Sequence, residues 1–197
     1  MSLFVKICGI TSPVAASAAV EAGADAVGFV FAESPRRVAP AEARAIAEDL
    51  PPGILCVAVF GRPALGEIAA VLDEFDADVV QADHESLDGY EERQILPVYR
   101  EPVTARPTQL RFLYEGARSG VGARVDESEA ARVARFGEMV LAGGLDPGNV
   151  GRAITAIRPY GVDVSTGVET APGVKSPELI GSFVAAARSA AERLVTA

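Results

Sequence analysis

The chain has 197 residues, 49% of them hydrophobic and 23% charged, a composition that excludes a disordered protein and fits a folded globular one. Twenty-seven acidic side chains against 18 basic ones leave a net charge of −9, which argues against a nucleic-acid partner. No run is apolar enough for a membrane span and the first residues lack the layout of a signal peptide, so a cytoplasmic protein with no membrane partner is expected.

Short β-rich runs alternate with alanine-rich stretches at helical spacing. Leu3 to Ile7 reads as a strand followed by a helix over Pro13 to Ala22. Ala26 to Phe31 leads into a helix from Pro40 to Leu50, and Ile54 to Phe60 into one from Ala64 to Phe75. Asp78 to Gln81 makes a fourth strand, with a weak helix around Glu85 to Glu92. Further strands are expected at Gln94 to Tyr99, Leu110 to Tyr114, Met139 to Ala142 and Gly161 to Val164. Helices follow at Glu127 to Phe136, Asn149 to Ile157 and Pro177 to Val195. Pro102 and Pro107 lie between the fifth and sixth strands, so no normal helix is expected there. The strand runs are continuous rather than alternating, as in parallel strands buried on both faces. Eight strand units in one chain, with no linker or composition shift, predict an α/β fold: a compact (β/α)8 TIM barrel in a single domain over residues 1–197. An open doubly wound sheet is the runner-up, but it usually needs only five or six strands.

In a barrel, chemistry gathers where strands end. Cys8 leaves the first strand just before Gly9, and reads either as a base or nucleophile at the mouth or as a small buried hydrophobe. Cys56, inside Ile54-Leu55-Cys56-Val57, reads as packing. With one histidine, His84, the two cysteines do not make zinc-finger spacing. Arg36, behind Pro35, could clamp a carboxylate with two prongs or belong to a solvated basic pair with Arg37. Gly143-Gly144 after strand seven and Ser165-Thr166-Gly167 after strand eight offer backbone N–H groups and hydroxyls where this fold usually cradles phosphate. Asp126 with Glu129 makes a capping-box-like helix start.

Lys6-Ile7-Cys8-Gly9-Ile10-Thr11, Gly23-Ala24-Asp25-Ala26-Val27-Gly28-Phe29-Val30-Phe31 and Ser34-Pro35-Arg36 resemble the phosphoribosylanthranilate isomerases of tryptophan biosynthesis. So do Leu141 to Leu145 with Pro147 and Asn149-Val150, and Gly161 to Glu169 with Pro172-Gly173. The resemblance implies an Amadori rearrangement of N-(5-phosphoribosyl)anthranilate, with no cofactor and no metal. A cysteine base would take the C2′ proton and a carboxylic acid would protonate the ring oxygen, so their pKa values must be pushed in opposite directions. On this pattern Cys8 matches the base and Arg36 the partner of the anthranilate carboxylate. Asp163 and Gln81 match substrate-binding positions, and Gly120, Gly143, Gly144, Ser165, Thr166 and Gly167 match the phosphate cradle. The implied partner is a small phosphoribosyl substrate, and the implied assembly a monomer or homodimer.

The chain departs from the family pattern at three places. A Leu-Leu-Asp ending strand six becomes Leu113-Tyr114-Glu115, which puts a glutamate at the acid's position, with a raised pKa expected from burial or from Asp163. A glycine-rich loop with a lysine becomes Ser119-Gly120-Val121-Gly122-Ala123. A Gln-Leu-His-Gly after strand four becomes Gln81-Ala82-Asp83-His84, where His84 reads as a surface residue or a relocated partner. These departures keep two rivals open: a non-catalytic phosphosugar-binding homologue, and a barrel switched to another phosphosugar.

Overall fold

Valine-, isoleucine- and phenylalanine-rich runs pair side by side in the computed structural model, which describes residues 3–103, 105–117 and 125–196. In chain order they are β1 (Phe4–Cys8), α1 (Pro13–Ala22), β2 (Ala26–Val30), α2 (Pro40–Ala47), β3 (Leu55–Val59), α3 (Leu65–Leu72), β4 (Val79–Asp83) and β5 (Gln94–Arg100). Then come β6 (Arg111–Glu115), α4 (Glu127–Val133), β7 (Glu138–Leu141), α5 (Val150–Ile157), β8 (Gly161–Val164), β9 (Glu169–Ala171), β10 (Val174–Lys175) and α6 (Pro177–Thr196). Strands β1 to β8 pair in sequence order, all parallel, and β8 returns to β1 to close the barrel. The expected (β/α)8 fold is present.

Local chemistry sets the helix ends. Ser12 accepts a hydrogen bond from the Ala15 N–H at 3.3 Å, Pro13 opens α1, and Gly23 closes it in the left-handed region. Asp126 caps α4 by accepting from the Glu129 N–H at 2.9 Å. The box is half made: Glu129 turns to Arg132, and the Asp126 N–H donates to Glu101 instead.

Several element bounds shift by one to three residues from those expected, β6 among them, and two elements differ in kind. The weak helix at 85–92 is a single 3-10 turn, His84–Leu87, which Asp88 leaves in extended backbone and Gly89 follows at φ 76°. Strand six runs one residue later than expected, so Glu115 is its last residue. A small antiparallel hairpin, β9 with β10, follows a 3-10 turn at Thr166–Val168 and was not foreseen. Among the described residues no helix joins β5 to β6, as the two prolines required.

The strands bury both faces. Outward residues such as Phe29, Val80, Phe112 and Val162 pack under the helices, where Phe29 meets Phe75 edge-on at 5.2 Å. Inward residues, among them Val57, Val98, Leu113 and Val140, fill the barrel. Burying each such side chain is worth roughly 1.5–3 kcal/mol. At the N-terminal end, Phe4 stacks on Tyr160, and Arg111 lies 4.5 Å over the Tyr160 ring while pairing with Glu138 at 2.8 Å. That plug closes the bottom. The C-terminal mouth stays open.

Candidate active site

The mouth holds a cavity of about 430 Å³. Cys8, Arg36, Gln81, Glu115 and Asp163 line it, together with Gly143, Gly144, Ser165 and Thr166, so one space receives nine sequence-predicted site residues. Gly167 lies just behind this wall, where a Cβ would fall 1.9 Å from the Leu145 carbonyl oxygen. It is glycine because the loops after β7 and β8 touch there. Gly120 lies outside the described residues.

Strand register explains the first cluster. Lys6 is the parallel partner of Asp163, and Cys8 that of Gly28. Lys6 and Cys8 are two apart on β1, so both point inward. The Lys6 ammonium is fully buried and donates to Asp163 Oδ1 at 2.8 Å. A Cβ on Gly28 would stand 3.1 Å from both Cys8 Sγ and Lys6 Nζ, so glycine makes room for the pair. Burial pushes the Cys8 thiol above its ordinary value; Lys6 and Lys175 pull it back, while Asp163 adds to the rise. For Lys6, burial opposes the charge, but Asp163 and Cys8 outweigh it and its pKa is raised. Cys56, by contrast, is pushed up to about 11 by burial and by Asp78, with no cation among the causes. It is packing.

Arg36 is buried and its guanidinium is already held. Nε and Nη2 donate to the two oxygens of Glu169 at 2.7 and 2.8 Å. Glu169 also accepts from Lys175 at 2.7 Å, and Lys175 donates to the Ser165 carbonyl and hydroxyl at 3.0 and 3.1 Å. The Glu169 hydrogen bond raises the Arg36 pKa; burial would raise that of Glu169, yet Arg36 and Lys175 together hold it below its ordinary value. Arg36 is therefore no solvated surface residue.

The glutamate ending β6 faces an arginine. Arg100, its register partner on β5, pairs with it at 2.9 Å. Arg100 also donates to Asp83, which Arg62 holds from the other side. The sequence reading expected burial or Asp163 to shape Glu115, but Asp163 is taken by Lys6 and the cavity wall at Glu115 carries a cation. Two departures from the family pattern, at positions 83 and 115, thus meet on one arginine. His84 points away from the cavity and stacks on Tyr99 at 4.3 Å, half-buried, so it is no relocated partner in the mouth. Gln81 is buried, and its amide oxygen has no hydrogen-bond partner among the described residues.

The loop after β7 turns through Gly143 and Gly144 at φ 91° and 64°, a backbone that side-chain-bearing residues rarely adopt. Asn149 fastens it by donating to the Gly144 carbonyl at 2.8 Å. Among the described residues no group of His, Cys, Asp and Glu is placed to hold a metal ion.

A family model described as N-(5′-phosphoribosyl)anthranilate (PRA) isomerase matches residues 5–186. The chain belongs to the PRA isomerase family. A curated family relative, the N-(5′-phosphoribosyl)anthranilate isomerase of Geobacter sp. (strain M21), is 40% identical over 93% of this chain and 97% of its own. Among solved PRA isomerases, the phosphoribosyl anthranilate isomerase of Thermus thermophilus superposes with a TM-score of 0.85 at 34% identity, over 95% of this chain and 99% of that one. Another, solved in complex with reduced 1-(o-carboxyphenylamino)-1-deoxyribulose 5-phosphate, gives a TM-score of 0.80 at 32% identity, over the same shares of both chains.

Four residues of this PRA isomerase site were not singled out from sequence: Lys6, Arg100, Glu169 and Lys175. Lys6 left a trace, since a lysine two residues before Cys8 in a doubly buried strand must find a buried partner. The others depend on a hairpin and an ion chain with no local pattern.

Proposed function

We propose that this chain catalyses the Amadori rearrangement of N-(5-phosphoribosyl)anthranilate to 1-(2-carboxyphenylamino)-1-deoxyribulose 5-phosphate, a step of tryptophan biosynthesis. The observation that carries this reading is the meeting of a Lys6-flanked Cys8 and a carboxyl group, Glu115, in one cavity from β1 and β6. Glu115 gives a proton to the ring oxygen as the C1′–O4′ bond breaks and the anthranilate nitrogen forms a double bond to C1′. The Cys8 thiolate then removes the C2′ proton, and the electron pair flows through C1′ to neutralise the nitrogen. Return of a proton to C1′, with loss of the enol proton, leaves the 2′-ketone.

Arg36 holds the anthranilate carboxylate, and Asp163 contacts the substrate nitrogen or ribose. The amide oxygen of Gln81, which has no partner among the described residues, accepts from a substrate hydroxyl. Gly143, Gly144, Ser165 and Thr166 cradle the phosphate, with Gly167 holding the two loops together behind them. Glu115 stands in an ion pair with Arg100, so it acts as an acid once entering substrate loosens that pair and a proton is taken up. The enzyme works without cofactor or metal, as one domain, in the cytoplasm, as a monomer or homodimer. No helix of the described chain is long and apolar enough to cross a membrane.

The test is purified protein given freshly made phosphoribosylanthranilate, with loss of anthranilate-type fluorescence followed in time. Protein-dependent loss that Cys8→Ser abolishes supports the isomerase. No turnover, with the reduced product still bound in the mouth, would replace it with the non-catalytic binding homologue.

A further inference from the structure

The side chains of Arg36, Glu169 and Lys175 are buried and form a set with a net charge of one positive. Every donor of Lys175 has an acceptor: two on Ser165 and one on Glu169. Both oxygens of Glu169 are taken as well, one shared by Arg36 Nε and Lys175 and one by Arg36 Nη2. The donors that this set leaves over are on Arg36 alone, along the edge formed by Nη1 and the second hydrogen of Nη2. Arg36 lines the cavity and Glu169 does not. The arginine stem runs over Gly9, where a Cβ would fall 2.6 Å from Arg36 Cδ, so the approach of the side chain is fixed along its length.

We infer that Glu169, on the β9–β10 hairpin, is a positioning residue that grips the inner edge of the Arg36 guanidinium and so presents its outer edge, two-pronged, to an aryl carboxylate in the cavity. This rests on the proposed substrate class and deepens it. A guanidinium has two edges able to bind a carboxylate in parallel, and engaging one with a buried glutamate leaves the other in a defined plane. Lys175 has a separate duty. It ties the glutamate to Ser165, and so joins carboxylate recognition to the loop after β8.

The test is calorimetric binding of two ligands: the reduced carboxyphenylamino deoxyribulose phosphate, and its phenylamino counterpart without the carboxylate. The unaltered protein should prefer the first by at least about tenfold. Glu169→Gln keeps the size but cannot accept from all three donors, and should remove most of that preference while changing affinity for the second ligand less than about twofold. If Glu169 merely neutralised Arg36, the same change would tighten the carboxylate ligand, and that result would overturn the proposal. So would an unaltered protein that does not distinguish the ligands. Should Glu169→Gln fail to fold, Lys175→Met leaves the Arg36–Glu169 grip in place. It should keep the preference and weaken inorganic phosphate; a lost preference with the grip still in place would overturn the proposal. Binding is read apart from turnover, so an inactive protein that still prefers the carboxylate ligand sinks the isomerase and not this inference.

Discussion

A cysteine that must act as a base has to ionise inside a protein, and burial works against it. Burial raises the Cys8 pKa, and the ammonium of Lys6 is the first of the influences that oppose the rise. The thiolate is the active form, so the rate climbs as pH rises through the Cys8 pKa. Lys6→Met takes away an opposing cation and leaves Asp163 unneutralised beside the thiol, and both changes move that pKa further up. The low-pH limb of kcat/KM should therefore shift to more alkaline pH, with a loss of roughly 10- to 100-fold near neutrality that is partly recovered as pH rises. A pH–rate profile checks this, with Lys6→Met/Asp163→Asn as the variant if the unpaired aspartate prevents folding. A profile lowered uniformly, with its limb in place, would mean that Lys6 is structural. Cys8 was legible because it ends a strand in a distinctive run. The partner of Lys6 was not, because Asp163 lies 157 residues away and comes beside it only when β8 closes on β1.

At the scale of elements, the strands and most helices followed from periodicity, but the contacts between loops did not. Residues 85–92 carry helical composition, yet the only 3-10 turn there is His84–Leu87, since Asp88 and Gly89 end it at once. The β9–β10 hairpin is too short for any period to register, yet it delivers Glu169 and Lys175. The loops after β7 and β8 meet at Gly167, where added volume would strike the Leu145 backbone at 1.9 Å. Backbone cannot swing aside as a side-chain tip can. Gly167→Ala should cost roughly 1–3 kcal/mol, the range for overpacking, and weaken inorganic phosphate by separating the two loops. Gly181→Ala, in α6 with nothing within 4 Å of the new Cβ, is the control and should be neutral or stabilising by about 0.5–1 kcal/mol. Thermal unfolding and phosphate calorimetry on both variants read the difference. Equal melting temperatures and equal phosphate affinities for the two would show that the loops are free to part.

Across the whole barrel, the helical cover is uneven. Strands β1 to β3 and β6 to β8 are each followed by an α-helix, whereas β4 is followed by one 3-10 turn and β5 by no helix among the described residues. Inside that sector runs an ion chain, Arg62 to Asp83 to Arg100 to Glu115, which links the end of β3 to β6 across the mouth. Asp83 and Glu115 are largely buried and Arg100 is a quarter exposed, so the chain is worth more than a surface pair and less than a fully buried one. Two of the positions that the sequence resemblance marks as departures are thereby coupled: an aspartate at 83 and a glutamate at 115 both serve Arg100. Arg100→Met keeps the apolar stem and removes the charge, at a cost of roughly 1–3 kcal/mol. That corresponds to a fall of about 2–12 °C in Tm for a chain of this size. The loss should be local, because the packed helices continue to hold the other strands. Backbone hydrogen exchange is the measurement: β4, β5 and β6 should open faster in Arg100→Met while β1, β2 and β8 keep their protection. If exchange instead rises equally in every strand, the ion chain is no staple of the thinly covered sector, and the pairing of residues 83 and 115 must be explained by the chemistry of the mouth alone.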